Sequence, residues 1–244
     1  SAASDVYKRQ TFRPTLNQYF INEELESNLR MYFTLVSQSS KFKKMIYFGS
    51  GAEYDKSRDI ISIKENDFGN FIPKNKYGLA KYIMNLNAQK SSNIYNFRLF
   101  GTINKYERPE KNVIANLCVK AINGLPLKLK QNCRFSFIDI EDILPLLEFT
   151  FSHDLVYHDY NLTNGHSILL SEIATIIANL TGNDSLIEFE SEGLNKEYTG
   201  DNTRIKAEYN FNFTPIQSSI KKVFDYYKIN SKDIDLNNLD SRWK

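Results

Sequence analysis

Short apolar runs closed by glycine or asparagine recur along this chain, and most are followed by ten or more residues of helical periodicity. That alternation restricts the fold more than any other feature. Parallel strands cannot be joined by tight turns and need long crossovers, which helices supply. "KMIYFGSG" (44–51) and "NIYNFRLFG" (93–101) read as buried strands running into turns. Further strands are predicted at "LPLKLK" (125–130), "FSFIDI" (135–140), "VYHDYNL" (156–162) and "SLIEFE" (185–190).

Helices are predicted between them. The first covers 22–39, where Leu25, Leu29, Tyr32, Phe33 and Val36 share a face. Others follow over 77–89, over 111–123 with Asn123-Gly124 as its stop, over 141–151 with Pro145 in its first turn, and over 171–182. A last helix over 215–227 opens on Pro215, with Thr214 as its N-cap. Residues 55–74 read as a loop. The fold class expected is α/β, a doubly wound parallel sheet.

Composition narrows the function classes. A net charge of +2 leaves no basic surplus for nucleic acid. No run of about 18 apolar residues is present, so no membrane span is expected. Two cysteines, Cys118 and Cys133, imply no disulfide framework, and with His153, His158 and His166 they form no familiar metal spacing. A cytoplasmic protein without a metal is the expectation. The opening "SAASDVYKRQ" reads as a non-native tail over residues 1–10, with the natural chain continuing upstream of Thr11.

The chemistry centres on "NKYGLAKYI" (75–83), where Tyr77 precedes Lys81 by four residues. With 15 tyrosines in 244 residues, roughly one such pair arises by chance, so its setting must decide. Both residues fall on one helix face. Ser50 lies on the turn after a strand, at the carboxyl end of the sheet where ligands of such folds bind. A neighbouring ammonium is expected to lower the tyrosine pKa. A serine hydroxyl could then bond the substrate oxygen and share its proton.

These segments resemble the extended short-chain dehydrogenase/reductases that act on nucleotide sugars, from about Asn22 to Tyr227. "SNLRMYFTL" (27–35) is similar to the family helix bearing an active-site asparagine, here Asn28. "MIYFGSGAEY" (45–54) is similar to its catalytic-serine turn, and "YGLAK" (77–81) to its Tyr-x-x-x-Lys helix. "FRLFGTIN" (97–104), "NGLPLKL" (123–129) and "FSFIDIEDI" (135–143) resemble later family segments, and "YTGDNTRIKAEYNFNFTPIQSSIKKVFDYY" closes the chain in the family's manner.

The resemblance implies a Rossmann-like sheet lacking its N-terminal strands and a smaller C-terminal α/β substrate-binding region. It places the C-terminal part of the dinucleotide domain at 11–110 and a mainly substrate-binding region at 111–244, with some segments returning to the first core. It implies Ser50, Tyr77, Lys81 and Asn28 as catalytic. Gly49, Tyr77, Lys81 and Phe100 would contact the cofactor, NAD favoured over NADP. Gly51, Ala52, Gly101, Arg134 and Arg204 would contact a nucleotide sugar, although the segment of Arg204 also reads as an ordinary helix start. A homodimer through helices at 23–37 and 75–91 is implied as well.

Departures qualify this. The phosphate-binding Gly-x-x-Gly-x-x-Gly turn is absent, since the first glycine is Gly49. About sixty to seventy residues of the nucleotide-binding half are expected to be missing. The family's diphosphate-contacting arginine aligns with Phe135, and its asparagine with Gly101. Arg134 is adjacent to Phe135, but neighbouring strand residues face opposite ways.

Dehydratase relatives carry Asp-Glu where Gly51 and Ala52 stand, and relatives that epimerise at C3 and C5 carry a cysteine at Ala52. What remains is 4-epimerisation or reduction of a 4-keto sugar. The alternative is a non-catalytic binding module or an inactive fragment. Glu53, one residue out of phase, is expected to face away from the sugar as a solvated or hydrogen-bonded turn residue. Arg98 either anchors a carboxylate or caps the sheet. Asp139, Glu141 and Asp142 are read as ending a strand and stabilising the helix after it, and His166 as a surface residue.

Overall fold

The computed structural model describes residues 24–182, 186–231 and 234–239. The tail read over 1–10, the start of the first predicted helix and Ser185 lie outside the described residues.

The described residues open with α1 (Glu24–Val36) and β1 (Met45–Ser50). A 3-10 turn over Gly51–Tyr54 leads to β2 (Ile60–Ile63) and α2 (Lys76–Ala88). Next come β3 (Ile94–Leu99), β4 (Gly101–Ile103), α3 (Val113–Ile122), β5 (Leu127–Asn132) and β6 (Arg134–Asp139). Then follow α4 (Ile140–Ser152), β7 (Asp159–Leu162), β8 (Ser167–Leu169) and α5 (Leu170–Thr181). After them come β9 (Ile187–Leu194), β10 (Tyr198–Gly200), α6 (Thr203–Glu208), α7 (Ile216–Asn230) and a 3-10 turn over Leu236–Asn238.

Among the described residues these strands form three sheets. In the first, β1, β3 and β7 lie side by side and parallel, with Ser50 opposite Leu99 and Asn96 opposite Asp159. The second has the order β2-β10-β6-β4, with β8 antiparallel on β6, and the third pairs β5 with β9 in parallel. The fold is therefore α/β with parallel sheets, as the alternation requires.

Strand β3 is central to its sheet and buries Ile94 to Arg98 without a break, as expected where both faces are covered. Its two faces differ in kind. Tyr95 and Phe97 enter a core with Ile143, Leu146, Tyr160 and Ile205. Ile94 packs with Tyr32, Tyr47, Met84 and Ala88 under α1 and α2. Asn96 and Arg98 share that second face by strand alternation and put polar groups into the interior. The largest core joins α3, α5 and α7 through residues such as Leu117, Ile177 and Val223.

Several local expectations are corrected. The predicted loop over 55–74 contains β2, which pairs with β10. Strands β4, β8 and β10, of three residues each, escape a periodicity argument that needs at least four.

Pro145 is the sixth residue of α4, not in its first turn, because the helix starts at Ile140 under an Asp139 cap. The proline therefore removes one interior hydrogen bond. Thr214 does not cap α7: its amide and hydroxyl both donate to Asp142 (2.8 and 2.6 Å), and Pro215 holds the cap position. Both cysteines are buried and free.

Candidate active site

The site is built on the end of β1. Ser50 enters the 3-10 turn as its N-cap: its Oγ accepts from the Ala52 amide (3.2 Å), while Glu53 accepts from the Ser50 amide (3.1 Å). This reciprocal capping holds the serine at the carboxyl edge of the sheet. Asp55 closes the turn in the left-handed region (φ 68°), where an aspartate is tolerated, and its carboxylate accepts from the Ser57 amide and hydroxyl.

Helix α2 brings Tyr77 and Lys81 to the same place. It starts where Asn75 accepts from the Gly78 amide at 2.7 Å. Gly78 is needed because any Cβ there would lie 2.6 Å from the Ala52 carbonyl oxygen. The Tyr77 phenol is near enough to the Ser50 side chain for that hydroxyl to lower its pKa. Lys81 is fully buried, and its Nζ donates to the Phe48 carbonyl at 2.7 Å, with the Tyr77 ring centre 5.9 Å away.

Burial pushes Tyr77 up to about 12, opposed by the Ser50 hydroxyl, with the carboxylates of Glu53 and Glu24 adding to the rise. Burial pushes Lys81 down to about 8, and Glu53 opposes this. The expected depression of the tyrosine pKa by the lysine is thus not what these surroundings produce. Desolvation dominates, and Tyr77 stays protonated at neutral pH. Asn28 is buried on α1 and donates to the Glu24 carbonyl (2.7 Å), one turn from a carboxylate that acts on Tyr77.

Beneath the serine turn lies a charged network that the sequence reading did not assemble. Arg98 is wholly buried; its Nε donates to Glu53 at 2.5 Å and its Nη2 to Asp159 at 2.6 Å. Its Nη1 has no hydrogen-bond partner among the described residues, and the guanidinium sits 5.1 and 5.0 Å from the ring centres of Tyr54 and Phe68. Asn96 donates to both Glu53 oxygens and to Asn85. Asp159 also takes Arg204 (2.8 Å), which reaches Asn66 (2.5 Å) and Glu65 (3.7 Å).

Arg98 is therefore a carboxylate anchor. Glu53 is hydrogen-bonded on the turn but wholly buried rather than solvated. The Arg204 guanidinium is committed to this network. Gly49 faces it too: an added Cβ would fall on Asn96 and on the Glu53 carboxylate.

On the other side of Ser50 the space is aromatic. The Tyr198 hydroxyl lies 3.3 Å from Ser50 Oγ, and its ring packs on Phe100 (5.1 Å) and Phe135 (5.6 Å). Gly51 makes room for them, since a Cβ there would come within 2.6 Å of Phe100 and 2.7 Å of the Tyr198 hydroxyl. Ala52 is buried in the same turn, and Gly101 lies against the Phe137 ring on β4.

Arg134, half-buried, opens β6 opposite Leu169, outside the serine–tyrosine–lysine cluster. Tyr198 was missed in the sequence because β10 is too short to signal a strand. Asp139 caps α4 through the Glu141 amide (2.9 Å), and Asp142 bonds Thr214 instead of ending the strand. His166 is exposed.

A family model described as NAD dependent epimerase/dehydratase family matches residues 13–163. The chain belongs to this family. A search of curated proteins finds no match. Among solved structures, this epimerase/dehydratase-family chain is similar to the Campylobacter jejuni GDP-mannoheptose C4 reductase MlghC, solved with NADP bound. Identity is 16%, the TM-score 0.74, and the match covers 87% of this chain and 77% of that one.

It is also similar to WbmG of Bordetella bronchiseptica, solved with NAD and UDP (14% identity, TM-score 0.75, covering 91% and 70%). A third likeness is to a UDP-glucose 4-epimerase of Thermotoga maritima, solved with UDP-glucose (14%, TM-score 0.74, covering 92% and 77%). At these identities the likeness is one of fold. No helix among the described residues is long and apolar enough to cross a membrane.

Proposed function

We propose that this protein is an NAD(P)-dependent enzyme of nucleotide-sugar metabolism that reduces a 4-keto sugar or epimerises at that carbon. The observation that carries the reading is the convergence of Ser50, Tyr77 and Lys81: a serine hydroxyl that acts on the tyrosine phenol, with a buried lysine one helical turn away.

Tyr77 and Lys81 fit the nicotinamide end of the cofactor. The lysine spends one of its three protons on Phe48, which leaves two for hydroxyl groups of a cofactor ribose. The nicotinamide would supply or accept the hydride. Ser50 would bond the sugar oxygen, and Tyr77 would move the proton. Because Tyr77 is held protonated at neutral pH, the site as it stands is set to donate a proton to a carbonyl oxygen. Reduction of a 4-keto sugar and the second, reducing half of a 4-epimerisation both need that donation. Gly51 and Ala52 offer no acid or base, so dehydration is not supported.

The division at about residue 110 into a cofactor-side and a substrate-side part is part of the same proposal. It is supported by the separate core of α3, α5 and α7. Exposed Phe33, Leu35 and Leu86 on α1 and α2 support association into a homodimer, which sedimentation would test. We place the activity in the cytoplasm, where fractionation should find it. A binding module without turnover is the second reading, favoured by the Tyr198 hydroxyl already lying on Ser50.

Turnover decides between them. The product of the complete reading frame containing this chain should oxidise NAD(P)H with a nucleotide-linked 4-keto sugar. Tyr77→Phe should lower kcat by roughly 10²- to 10⁴-fold while cofactor binding persists. Unimpaired turnover in that variant would remove Tyr77 from the mechanism, and no turnover in the wild type would favour the binding module.

A further inference from the structure

We propose that Glu53 is the positioning residue of this site: its buried carboxylate holds the Ser50 backbone in place and fastens the serine turn to Arg98 on the neighbouring strand. The inference rests on the reading of Ser50 as catalytic, and it adds a residue that neither the family match nor the sequence motifs assign.

The geometry is specific. Glu53 Oε1 accepts from the Ser50 amide at 3.1 Å and from Asn96 at 3.2 Å, while Oε2 accepts from Arg98 at 2.5 Å and from Asn96 at 3.1 Å. Both oxygens are therefore used twice. The side chain is completely shielded from solvent, as is the Arg98 guanidinium.

An exposed turn would need no such arrangement. Ser and Glu can cap one another on any helix start, and there Glu would remain in water. Here an ion pair has been taken out of water at considerable cost, and glycine is required at position 49 to admit it. The arrangement fixes the turn that carries Ser50. Arg98 in turn grips Asp159 on β7, which holds Arg204 on α6. The serine turn is thus tied across the whole first sheet to the segment that follows Tyr198.

Small displacements at a reacting oxygen are costly, on the order of 10²-fold per ångström, so loosening this tie should act on kcat. In the product of the complete reading frame, Glu53→Ala should lower kcat by roughly 10-fold or more with KM within about 2-fold. Glu53→Gln, which keeps an oxygen acceptor for the Ser50 amide, should recover part of the loss. The deciding step is a cycle with Ser50→Ala. If Glu53 acts through Ser50, Glu53→Ala should cost less than about 2-fold in that background. The same factor in both backgrounds would show a merely structural role and overturn the proposal, as would Glu53→Ala with kcat unchanged.

If Glu53→Ala loses its cooperative unfolding transition, Asn96→Ala takes its place in the cycle. It removes donors to both Glu53 oxygens, and the same non-additivity is expected. Hydrogen exchange separates this proposal from the functional reading. The Ser50 amide should be protected in the wild type and exchange faster in Glu53→Ala, whatever the protein turns over. Equal exchange in the two would overturn the positioning role even in an active enzyme.

Discussion

On the proposed reading Lys81 sets stability against function, and replacing it by methionine measures that conflict. The lysine is fully buried, and burial holds it down to about 8 from 10.5, even with Glu53 pulling the other way. Below that pH the folded protein must carry a charge it holds poorly. At about 1.4 kcal/mol for each tenfold change in proton affinity, the penalty at pH 7 is about 3 kcal/mol.

Lys81→Met keeps the length and apolar stem and removes the charge. It also takes the donor from the Phe48 carbonyl (2.7 Å), a loss of about 1 kcal/mol. Glu53 is not stranded, because Arg98 and Asn96 still hold it. The expected result is a variant about 2 kcal/mol more stable than wild type at pH 7, with Tm raised by roughly 4–8 °C, and without turnover.

The sign of the pH dependence follows from the lowered pKa. Between about 8 and 10.5 the unfolded lysine is protonated and the folded one is not, so wild-type stability rises with pH there. The advantage of the variant should therefore shrink across that window and reverse above it, leaving wild type ahead by the Phe48 hydrogen bond, about 1 kcal/mol. Urea unfolding of both proteins at pH 7 and pH 10 measures this. A variant less stable than wild type at pH 7, or an advantage unchanged at pH 10, would refute the account of Lys81 as a strained, functionally retained charge.

Arg98→Met should destabilise the fold by about 3–5 kcal/mol in denaturant unfolding, because it leaves the buried Glu53 without its cation; a loss below about 1 kcal/mol would mean that the amides of Asn96 and Ser50 suffice. Gly49→Ala should cost about 1–3 kcal/mol by forcing its methyl group onto Asn96 and Glu53, and a neutral result in the same assay would show that the network can shift. The Tyr77→Phe and Glu53→Ala experiments complete the set.

Much of the architecture was legible because it rests on long periodic elements. Helices α1, α2, α3, α5 and α7 fall where apolar spacing puts them, and β1 and β3 are continuous apolar runs bounded by turns. The failures share one cause: short elements whose existence depends on a distant partner. Strand β2 has four residues and exists through its pairing with β10, well over a hundred positions away. Likewise Thr214 looks like a cap in sequence, yet the Asp142 carboxylate claims it across the fold. Local chemistry offers a residue several partners, and tertiary packing chooses among them.

The site shows the same rule at finer scale. Ser50, Tyr77 and Lys81 could be found in the sequence because each sits on a regular element whose direction is predictable. Glu53 stands one residue out of phase with the acid pair of the dehydratase relatives, a comparison that does not show where its side chain points. A strand continued past Ser50 would turn it away. The strand does not continue. It passes into a 3-10 turn at Gly51, and in such a turn the side chains of residues three apart eclipse. Residue 53 is thereby carried back over residue 50, where its carboxylate meets the serine amide, and beyond it Arg98. The strand count turns Glu53 away from the serine; the 3-10 count turns it inward. A buried arginine on β3 was the available clue, because a cation at the centre of a parallel sheet requires a carboxylate within reach. Asking which acid could supply it would have led from Arg98 to Glu53 and Asp159.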